Sequence, residues 1–461
     1  MSNMEIIGKR DKTLVVGAGK SGISAMSLLA LNNEKPVLFD SNSELNIEEV
    51  REKLDEAARS AEIYAGELPK EVRAELCCVV ISPGVPIDSE LVVGFRNEGI
   101  PISGEIELAF GYEKGTLIAI TGTNGKTTTT ALVGKIMNDY MGRAIVAGNI
   151  GTPYTTEVLK SSPDSVTVAE ISNFQLETAD RFRPHISAIL NITPDHLNRH
   201  HTMECYINEK KKIAKNQDEN DYIILNYDDE VLRPFGESVR CRVIYFSTKA
   251  RPENGFYYEN GDIFFNENGE GKKLINKDEM NIIGLHNMEN AMAGIAIAKA
   301  FGVPFDNIIA SLKDFKPVEH RIEFVEEIDG VRYYDDSKGT NVDAAIKGIQ
   351  AMDRKTCLIG GGYDKNVPFD EWIEAFDGKV KKLVLIGQTA EKIAECCRTH
   401  GFTDYVFASS MEEAVDICRR SAEKGEAVLL SPACASWGMF DNFEQRGDIF
   451  KKLVRESEGN R

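Results

Sequence analysis

A short apolar run, Thr116 to Ile120, leads directly into Thr121-Gly122-Thr123-Asn124-Gly125-Lys126-Thr127, and a stretch of helical character follows from Ala131 to Met137. A strand that turns through two glycines into a helix opening on Lys-Thr leaves few choices of local fold. The N–H groups of such a loop and the N-terminus of its helix converge on one point and attract an anion. Lys126 adds positive charge there, and the Thr127 hydroxyl can hold Mg²⁺. Gly122, Thr123, Asn124, Gly125, Lys126, Thr127, Thr128 and Thr129 are therefore the candidate phosphate-binding residues. The standard motif carries glycine six residues before the lysine; Ile120 stands there instead, so this is a shortened variant.

A chain of 461 residues is too long for one core, and about three domains are expected. The net charge of −19 argues against nucleic acid as a partner, since a phosphate backbone demands basic surface. Anionic ligands must then be drawn by local lysines, backbone donors and metal. The polar start, Met1 to Lys12, and the lack of a membrane-length apolar run suggest a cytoplasmic protein with no membrane insertion. Nine cysteines, an odd number without a Cys-x-x-Cys pair, favour reduced thiols over a disulfide framework or a zinc site.

Strand and helix signals alternate along the whole chain, which predicts an α/β fold. In the first segment, strands at Thr13–Val16, Pro36–Phe39 and Cys77–Ile81 surround the glycine turn Gly17-x-Gly19-x-x-Gly22 and a helix from Ile23 to Leu31. A break near Ser103-Gly104 opens a second segment with strands at Ser165–Ala169, Ala188–Asn191 and Tyr222–Asn226. It continues through a small β excursion over 251–274 to an alanine-rich helix, Asn287–Phe301. The third segment has strands near 331–334, 356–360, 382–386 and 427–430, with helices over 389–399 and 411–423. The predicted domains are 1–104, 105–317 and 318–461.

Ligands of such sheets gather at the carboxyl ends of the strands. Gly17, Gly19 and Gly22 with Asp40 match the dinucleotide fingerprint, which suggests NAD or the diphosphate of another nucleotide. Glu170 and Asp195-His196 end or follow strands beside the phosphate loop, where a carboxylate and an imidazole could bind a divalent metal. His200 and His201 have no such context and are expected at the surface. Lys210, within Tyr206-Ile-Asn-Glu-Lys-Lys-Lys, has the pattern of a solvated basic helix face. Asn287 and Asn290 lie on neighbouring turns, able to touch one ligand or to cap the helix. Asp335-Asp-Ser-Lys-Gly-Thr-Asn341, Gly360-Gly-Gly-Tyr-Asp-Lys365 and Ser431-Pro-Ala-Cys-Ala-Ser436 each follow a strand, and the three loops are expected to converge on one sheet edge.

Together these motifs resemble the Mur ligases of peptidoglycan synthesis, over essentially the whole chain. The resemblance rests on Thr121–Thr127, Glu170 with Ser172-Asn-Phe-Gln-Leu176, Asp195-His196, Leu285-His-Asn-Met-Glu-Asn290 and His320-Arg321. Leu430-Ser-Pro-Ala-Cys-Ala-Ser436, running on to Phe440-Asp-Asn-Phe-Glu-Gln-Arg-Gly447, looks like the glutamate-adding branch. Asn173, where serine is more usual, and Trp437-Gly-Met439 depart from the family pattern.

The resemblance implies a Rossmann-like UDP-binding domain, a central P-loop-type ATPase domain and a Rossmann-like C-terminal domain for the incoming amino acid. It implies ATP, UDP-N-acetylmuramoyl-L-alanine and D-glutamate as substrates, two Mg²⁺ ions and a monomer. Lys126, Glu170, His196 and Lys210 become the catalytic set. Thr127, Glu170, His196 and a carbamylated Lys210 become the metal ligands, overturning the solvated reading of that lysine. Asn287, Asn290, Arg321, Asp336 and Lys338 would join the phosphate loop around ATP. Lys20, Ser21, Asp40, Ser82, Asn149 and His196 would hold the UDP-sugar substrate, and Thr340, Lys365, Ser436 and Phe443 the D-glutamate. Closure of the third domain on the phosphate loop is also expected, to exclude water.

Overall fold

The computed structural model describes residues 10–149, 151–316 and 318–456. The start of the chain before Arg10, Ile150 and the boundary residue 317 lie outside them. Three separate sheets account for the strands. The first two belong to one compact unit, Met1–Asn276 with Glu289–Lys313, and the third to another, Lys277–Met288 with Asp314–Arg461.

The first sheet is formed by β1 (Lys12–Val16), β2 (Lys35–Asp40), β3 (Glu62–Ala65), β4 (Leu76–Ile81) and β5 (Ile102–Gly104). All are parallel, in the order β3-β2-β1-β4-β5. Leu14, Val15, Val79 and Val80 are buried, as central parallel strands covered on both faces require. Strand order reverses between β1 and β4, so the loops after these two strands meet. A Cβ on Gly17 would lie 2.9 Å from Ser82 Oγ, and one on Gly22 only 1.8 Å from the Gly17 carbonyl oxygen. Both glycines are thus demanded by close approach, whatever ligand the turn serves.

The second sheet runs β14-β13-β12-β11-β10-β9-β6-β8-β7. Its parallel part comprises β6 (Thr116–Thr121), β7 (Ala144–Gly148), β8 (Val166–Glu170), β9 (Ile186–Ile189), β10 (Tyr222–Asn226) and β11 (Arg242–Ser247). The expected β excursion is present: β12 (Gly255–Glu259), β13 (Asp262–Glu267) and β14 (Glu270–Asn276) form an antiparallel meander at the edge. The register sets Ile120 beside Glu170 and Thr121 beside Ile189, so the loop leaving β6 emerges between the ends of β8 and β9.

A short helix, Glu105–Phe110, joins these two sheets and carries two buried carboxylates. Glu105 accepts the Tyr154 N–H at 3.1 Å and the Gln175 amide at 3.1 Å. Burial still raises its pKa, against these bonds and one from Ser21. Glu107 accepts three backbone N–H groups, from Asp180, Arg181 and Phe182, at 2.9–3.0 Å.

The third sheet contains β15 (Glu323–Ile328), β16 (Val331–Asp335), β17 (Thr356–Gly360), β18 (Val380–Leu385), β19 (Tyr405–Phe407) and β20 (Ala427–Leu430). Its order is β15-β16-β20-β17-β18-β19, parallel except for the β15–β16 hairpin. With β20 between β16 and β17, the three polar loops singled out in the sequence leave adjacent strands. They are joined directly: Asp336 N–H donates to the Leu430 carbonyl (2.8 Å), Gly361 to Pro432 (2.9 Å) and Tyr363 to Ala435 (2.9 Å).

Candidate functional site

In the first unit the phosphate loop is fixed by its own side chains together with those of neighbouring segments. Gly125, at φ 84°, precedes the helix Lys126–Met141, whose N-terminus has no side-chain cap. The Asn191 carboxamide clamps Asn124 on both sides, accepting its N–H at 2.8 Å and donating to its carbonyl at 3.1 Å. Thr123 hydroxyl donates to the Thr193 carbonyl (3.1 Å) and lies 2.9 Å from the Tyr206 hydroxyl. Thr127, Thr128 and Thr129 are buried, and Thr129 Oγ1 reaches Asn290 Oδ1 at 3.4 Å. A Cβ on Gly125 would strike that same Asn290 oxygen at 2.2 Å, so only glycine fits there.

Lys126 Nζ donates to the carbonyls of Gly122 and Thr123, both at 2.9 Å. Lys210 Nζ donates to the same Gly122 oxygen at 2.8 Å and sits 4.7 Å from the centre of the Tyr206 ring. The solvated reading of Lys210 is therefore corrected: its side chain is 1% exposed. The helix Met203–Lys211 turns Tyr206 and Lys210, four residues apart, toward the sheet, while the neighbouring lysines keep the basic look of the run. Burial, and then the Lys126 charge, push the Lys210 pKa well below the ordinary lysine value, against a small opposing pull from Asp195. Such an amine gives up its proton readily and becomes a nucleophile.

Glu170, at the end of β8, is 2% exposed. Its Oε1 accepts the Asn149 amide at 2.8 Å, whereas Oε2 is buried with no hydrogen-bond partner among the described residues. A buried carboxylate oxygen left unpaired is costly unless a cation completes it. With the Thr127 hydroxyl on the neighbouring loop, this carboxylate suits a hard divalent ion such as Mg²⁺. His196 is exposed at φ 53°, with its ring 4.8 Å from Phe174.

His200 is a second correction, for it is buried rather than at the surface. It bonds the Asn173 amide and lies between Phe174 and Tyr206, at 5.7 and 5.5 Å between ring centres. Burial lowers its pKa to about 4, helped by His196 and Arg199, so the ring stays neutral at pH 7. His201 is exposed, as expected. Asn173, a departure from the family pattern, thus has a buried partner in His200.

At the first sheet, both Asp40 oxygens accept backbone N–H groups, Oδ2 from Ala18 at 2.8 Å and Oδ1 from Asn42 at 2.9 Å. Asp40 braces the glycine turn. The helix Lys20–Leu31 has no side-chain cap at its N-terminus, where Lys20 is exposed, Ser21 half-buried and Ser82 adjacent through Gly17.

In the second unit, Asp336 is 1% exposed, and its Oδ2 accepts the Ser431 hydroxyl at 2.7 Å. Burial raises its pKa to about 7, opposed by Arg321 and Ser431. Arg321 Nε is itself buried with no hydrogen-bond partner among the described residues. His320 Nδ1–H donates to Asp335 at 2.7 Å; burial opposes the ring's charge, but Asp335 prevails and its pKa is raised. Lys338 Nζ lies 5.3 Å from the centre of the Phe443 ring, and Lys365 Nζ donates to the Thr340 carbonyl at 3.3 Å. Ser436 is buried, while Trp437 is exposed with its ring centre 5.5 Å from that of Tyr363. In this unit Asn287 donates to the Ile283 carbonyl at 2.7 Å.

Three residues escaped the sequence reading. Asn191 and Tyr206 shape the phosphate loop as described. Arg446, fully buried, donates to the Ser337 hydroxyl and carbonyl and to the Cys434 carbonyl at 2.8–3.1 Å, tying two of the polar loops together. Tyr206 and Arg446 lay inside quoted motifs and Asn191 at the end of an expected strand, but a motif does not say which of its members faces inward.

A buried glycine loop between strand and helix, on one of three doubly wound α/β sheets, defines a nucleotide-phosphate-binding α/β protein. More narrowly, the chain belongs to the Mur ligase family. Residues 11–104 match the Mur ligase MurD-like N-terminal domain, 120–298 the Mur ligase middle domain and 320–434 the Mur ligase glutamate ligase domain. UDP-N-acetylmuramoylalanine--D-glutamate ligase of Lachnospira eligens is 54% identical, covering 97% of this chain and 99% of its own. The enzyme of the same name from Lachnoclostridium phytofermentans is 51% identical, over 98% and 99%. Among solved structures, UDP-N-acetylmuramate-alanine ligase MurC of Thermotoga maritima shares the fold with a TM-score of 0.60 at 20% identity, covering 97% of this chain and 99% of that one. MurF ligase of Thermotoga maritima, in complex with ADP, gives 0.57 at 18% identity, over 84% and 91%.

Proposed function

We infer that this chain joins D-glutamate to UDP-N-acetylmuramoyl-L-alanine at the expense of ATP, in the synthesis of peptidoglycan precursors. The observation that carries this reading is the 54% identity to a D-glutamate ligase along nearly the whole of both chains. In the proposed reaction the L-alanyl carboxylate attacks the γ-phosphorus of ATP and ADP leaves, giving an acyl phosphate. The deprotonated amine of D-glutamate then attacks the acyl carbon, and phosphate departs with the C–O bond electrons. Phosphorylation replaces a leaving group that cannot depart by one that can.

The role assignments follow the geometry of each unit. The loop Gly122–Thr129 with Lys126 is proposed to cradle the β- and γ-phosphates, supported by its uncapped helix N-terminus. Thr127 and Glu170 would hold one Mg²⁺, and Glu170, His196 and Lys210 a second; the unpaired Glu170 oxygen supports a cation beside this carboxylate. When bound, Mg²⁺ would offset the charge of the phosphates and the carboxylate. Lys210 would serve as a carbamate, formed when its free amine adds CO₂ and loses a proton. Its buried, depressed ammonium supports that step, because only the neutral amine reacts.

Asn287, Asn290, Arg321 and Asp336 are proposed as further ATP contacts, with Lys338 near the transferred phosphate. Lys20, Ser21, Asp40 and Ser82 would position the UDP part, Asp40 through the turn it braces, and Asn149 and His196 the muramyl-alanine. Thr340, Lys365, Ser436 and Phe443 would bind D-glutamate. The corresponding domains are 1–104, 105–317 and 318–461. A cytoplasmic monomer completes the reading; among the described residues no helix is long and apolar enough to cross a membrane.

The test is phosphate release from ATP with UDP-N-acetylmuramoyl-L-alanine and each candidate amino acid. D-glutamate should stimulate strongly, and L-glutamate or diaminopimelate should not. Equal rates with all three would remove the assignment.

A further inference from the structure

Two short helices of the second unit each present a pair of metal-ligating residues four apart, and the pairs face one another. Asp370 and Glu374 bound one helix, while Cys396 lies in the helix Ala390–Thr399 and His400 caps it. Residues four apart share a helix face. Ligand atoms of Asp370, Cys396 and His400 all lie within 4.8 Å of one another. His400 Nε2 is 3.5 Å from Glu374 Oε1 and 3.7 Å from Asp370 Oδ1.

The tautomer of His400 is fixed by its surroundings. Its Nδ1 lies 3.0 Å from the Cys396 carbonyl, which can only accept, 3.2 Å from the Thr399 hydroxyl, which donates to that same carbonyl, and 3.8 Å from the Cys396 sulfur, so Nδ1 carries the proton. The lone pair of Nε2 then points at two carboxylates, acceptor against acceptors. Among the described residues His400 is the only basic group in ion-pair reach of Asp370 or Glu374. A second proton or a metal ion would resolve this. An imidazole whose Nδ1–H is anchored on a backbone carbonyl is the arrangement that orients histidine as a metal ligand through Nε2.

We propose that Asp370, Cys396 and His400, with Glu374 alongside, form a binding site for a thiophilic divalent cation of the Zn²⁺ class. Thiolate, imidazole and carboxylate together suit Zn²⁺ or Co²⁺, whereas Mg²⁺ prefers oxygen ligands and does not take a thiolate. Tetrahedral zinc, with bonds of about 2.0–2.3 Å, separates its donors by roughly 3.3–3.8 Å, so modest side-chain rotations close the site. The helix Ala390–Thr399 begins beside Thr389, whose hydroxyl accepts the Gly362 N–H at 3.0 Å. His400 lies at its other end, about 15 Å away at 1.5 Å per residue. The cation would therefore pin the helix Asp370–Glu374 to its neighbour, away from the loops proposed for D-glutamate. The inference is independent of the reaction proposed above. Counting Cys-x-x-Cys pairs in the sequence could not find it, because its thiol is paired with a histidine and with carboxylates from another helix.

The experiment is a titration of the full-length, metal-stripped protein with CoCl₂ in a large excess of Mg²⁺. One Co²⁺ per chain should bind, with a thiolate-to-cobalt band in the near ultraviolet and strong visible bands of tetrahedral cobalt. Zn²⁺ should displace it and Mg²⁺ should not. Cys396→Ser should abolish the charge-transfer band, and His400→Gln should weaken cobalt binding at least tenfold. Both should keep the turnover and the metal-free melting temperature of the parent. Absence of the band, its survival in Cys396→Ser, its loss in Cys205→Ser, or unchanged binding in His400→Gln would each overturn the proposal. A doubly protonated His400 bridging the two carboxylates would then account for the cluster.

Discussion

Asp336→Asn should make the second unit considerably more stable at neutral and alkaline pH, and hardly change it at pH 4. Burial moves this carboxyl from the ordinary 3.8 to about 7, in spite of Arg321 and the Ser431 hydroxyl. A shift of about 3 units, at 1.36 kcal/mol each, amounts to roughly 4 kcal/mol of preference for the protonated form in the folded chain. The sign follows from proton counting. Between pH 3.8 and 7 the folded carboxyl keeps a proton that the unfolded chain has released, so stability falls as pH rises through this window. The cost is under about 1 kcal/mol at pH 4, roughly 2 at pH 5 and roughly 4 at pH 7–8. Asparagine cannot ionise, yet its oxygen can still accept from Ser431. Allowing about 1 kcal/mol for an imperfect hydrogen bond, the gain at pH 8 is about 2–4 kcal/mol. Both tryptophans, Trp372 and Trp437, lie in this unit, so tryptophan fluorescence during urea unfolding reports on it alone. With a urea slope of about 2 kcal/mol/M, the midpoint should rise by roughly 1–2 M at pH 8 and hardly move at pH 4. An equal shift at both pH values, or none at pH 8, would refute the argument. The same variant should lose ligase activity, if Asp336 contacts ATP as proposed.

Lys210→Ala should lower turnover by at least about 100-fold, the upper end for even an outer-shell metal partner. Added short carboxylates should restore part of it, and full activity without them would dispose of the carbamate. Gly125→Ala drives a Cβ against Asn290 at a φ of 84°, which costs about 1–3 kcal/mol. Nucleotide binding measured by calorimetry should weaken accordingly. Gly142→Ala, at φ 71° with nothing within 4 Å, should cost about 1 kcal/mol of stability and leave nucleotide binding unchanged. Similar binding losses in both variants would show that the Asn290 contact does not matter.

Strands such as Tyr222–Asn226, Thr356–Gly360 and Ala427–Leu430 were legible to the residue, because buried parallel strands are continuous apolar runs. Edge strands such as Glu62–Ala65 and Tyr405–Phe407 were not, being short and mixed in polarity. The convergence of the three polar loops followed from strand-end logic and needed only the position of β20 to become contact. Side-chain direction was the weak point. Lys210 among other lysines, and His200 beside His201, differ from their neighbours only by helix phase, which a charged run conceals. Asn191, Tyr206 and Arg446 were invisible for a related cause: their work is done on backbone carbonyls, N–H groups and hydroxyls that no pattern of residue types displays.

The short helix after Gly104 has a bearing on how such chains can be recombined. Glu105 draws Ser21 of the first sheet's helix, Tyr154 and Gln175 onto one buried carboxylate. A graft that exchanged residues 1–104 for those of a distant relative would leave this acid facing whatever replaces Ser21, and a cut just after residue 107 would strip three N–H groups of their acceptor. The seam between the modules is thus not the loop where one sheet ends. Any functional chimera has to carry residues 105–107 together with the segments 154–155, 175 and 180–182 as a single inherited block.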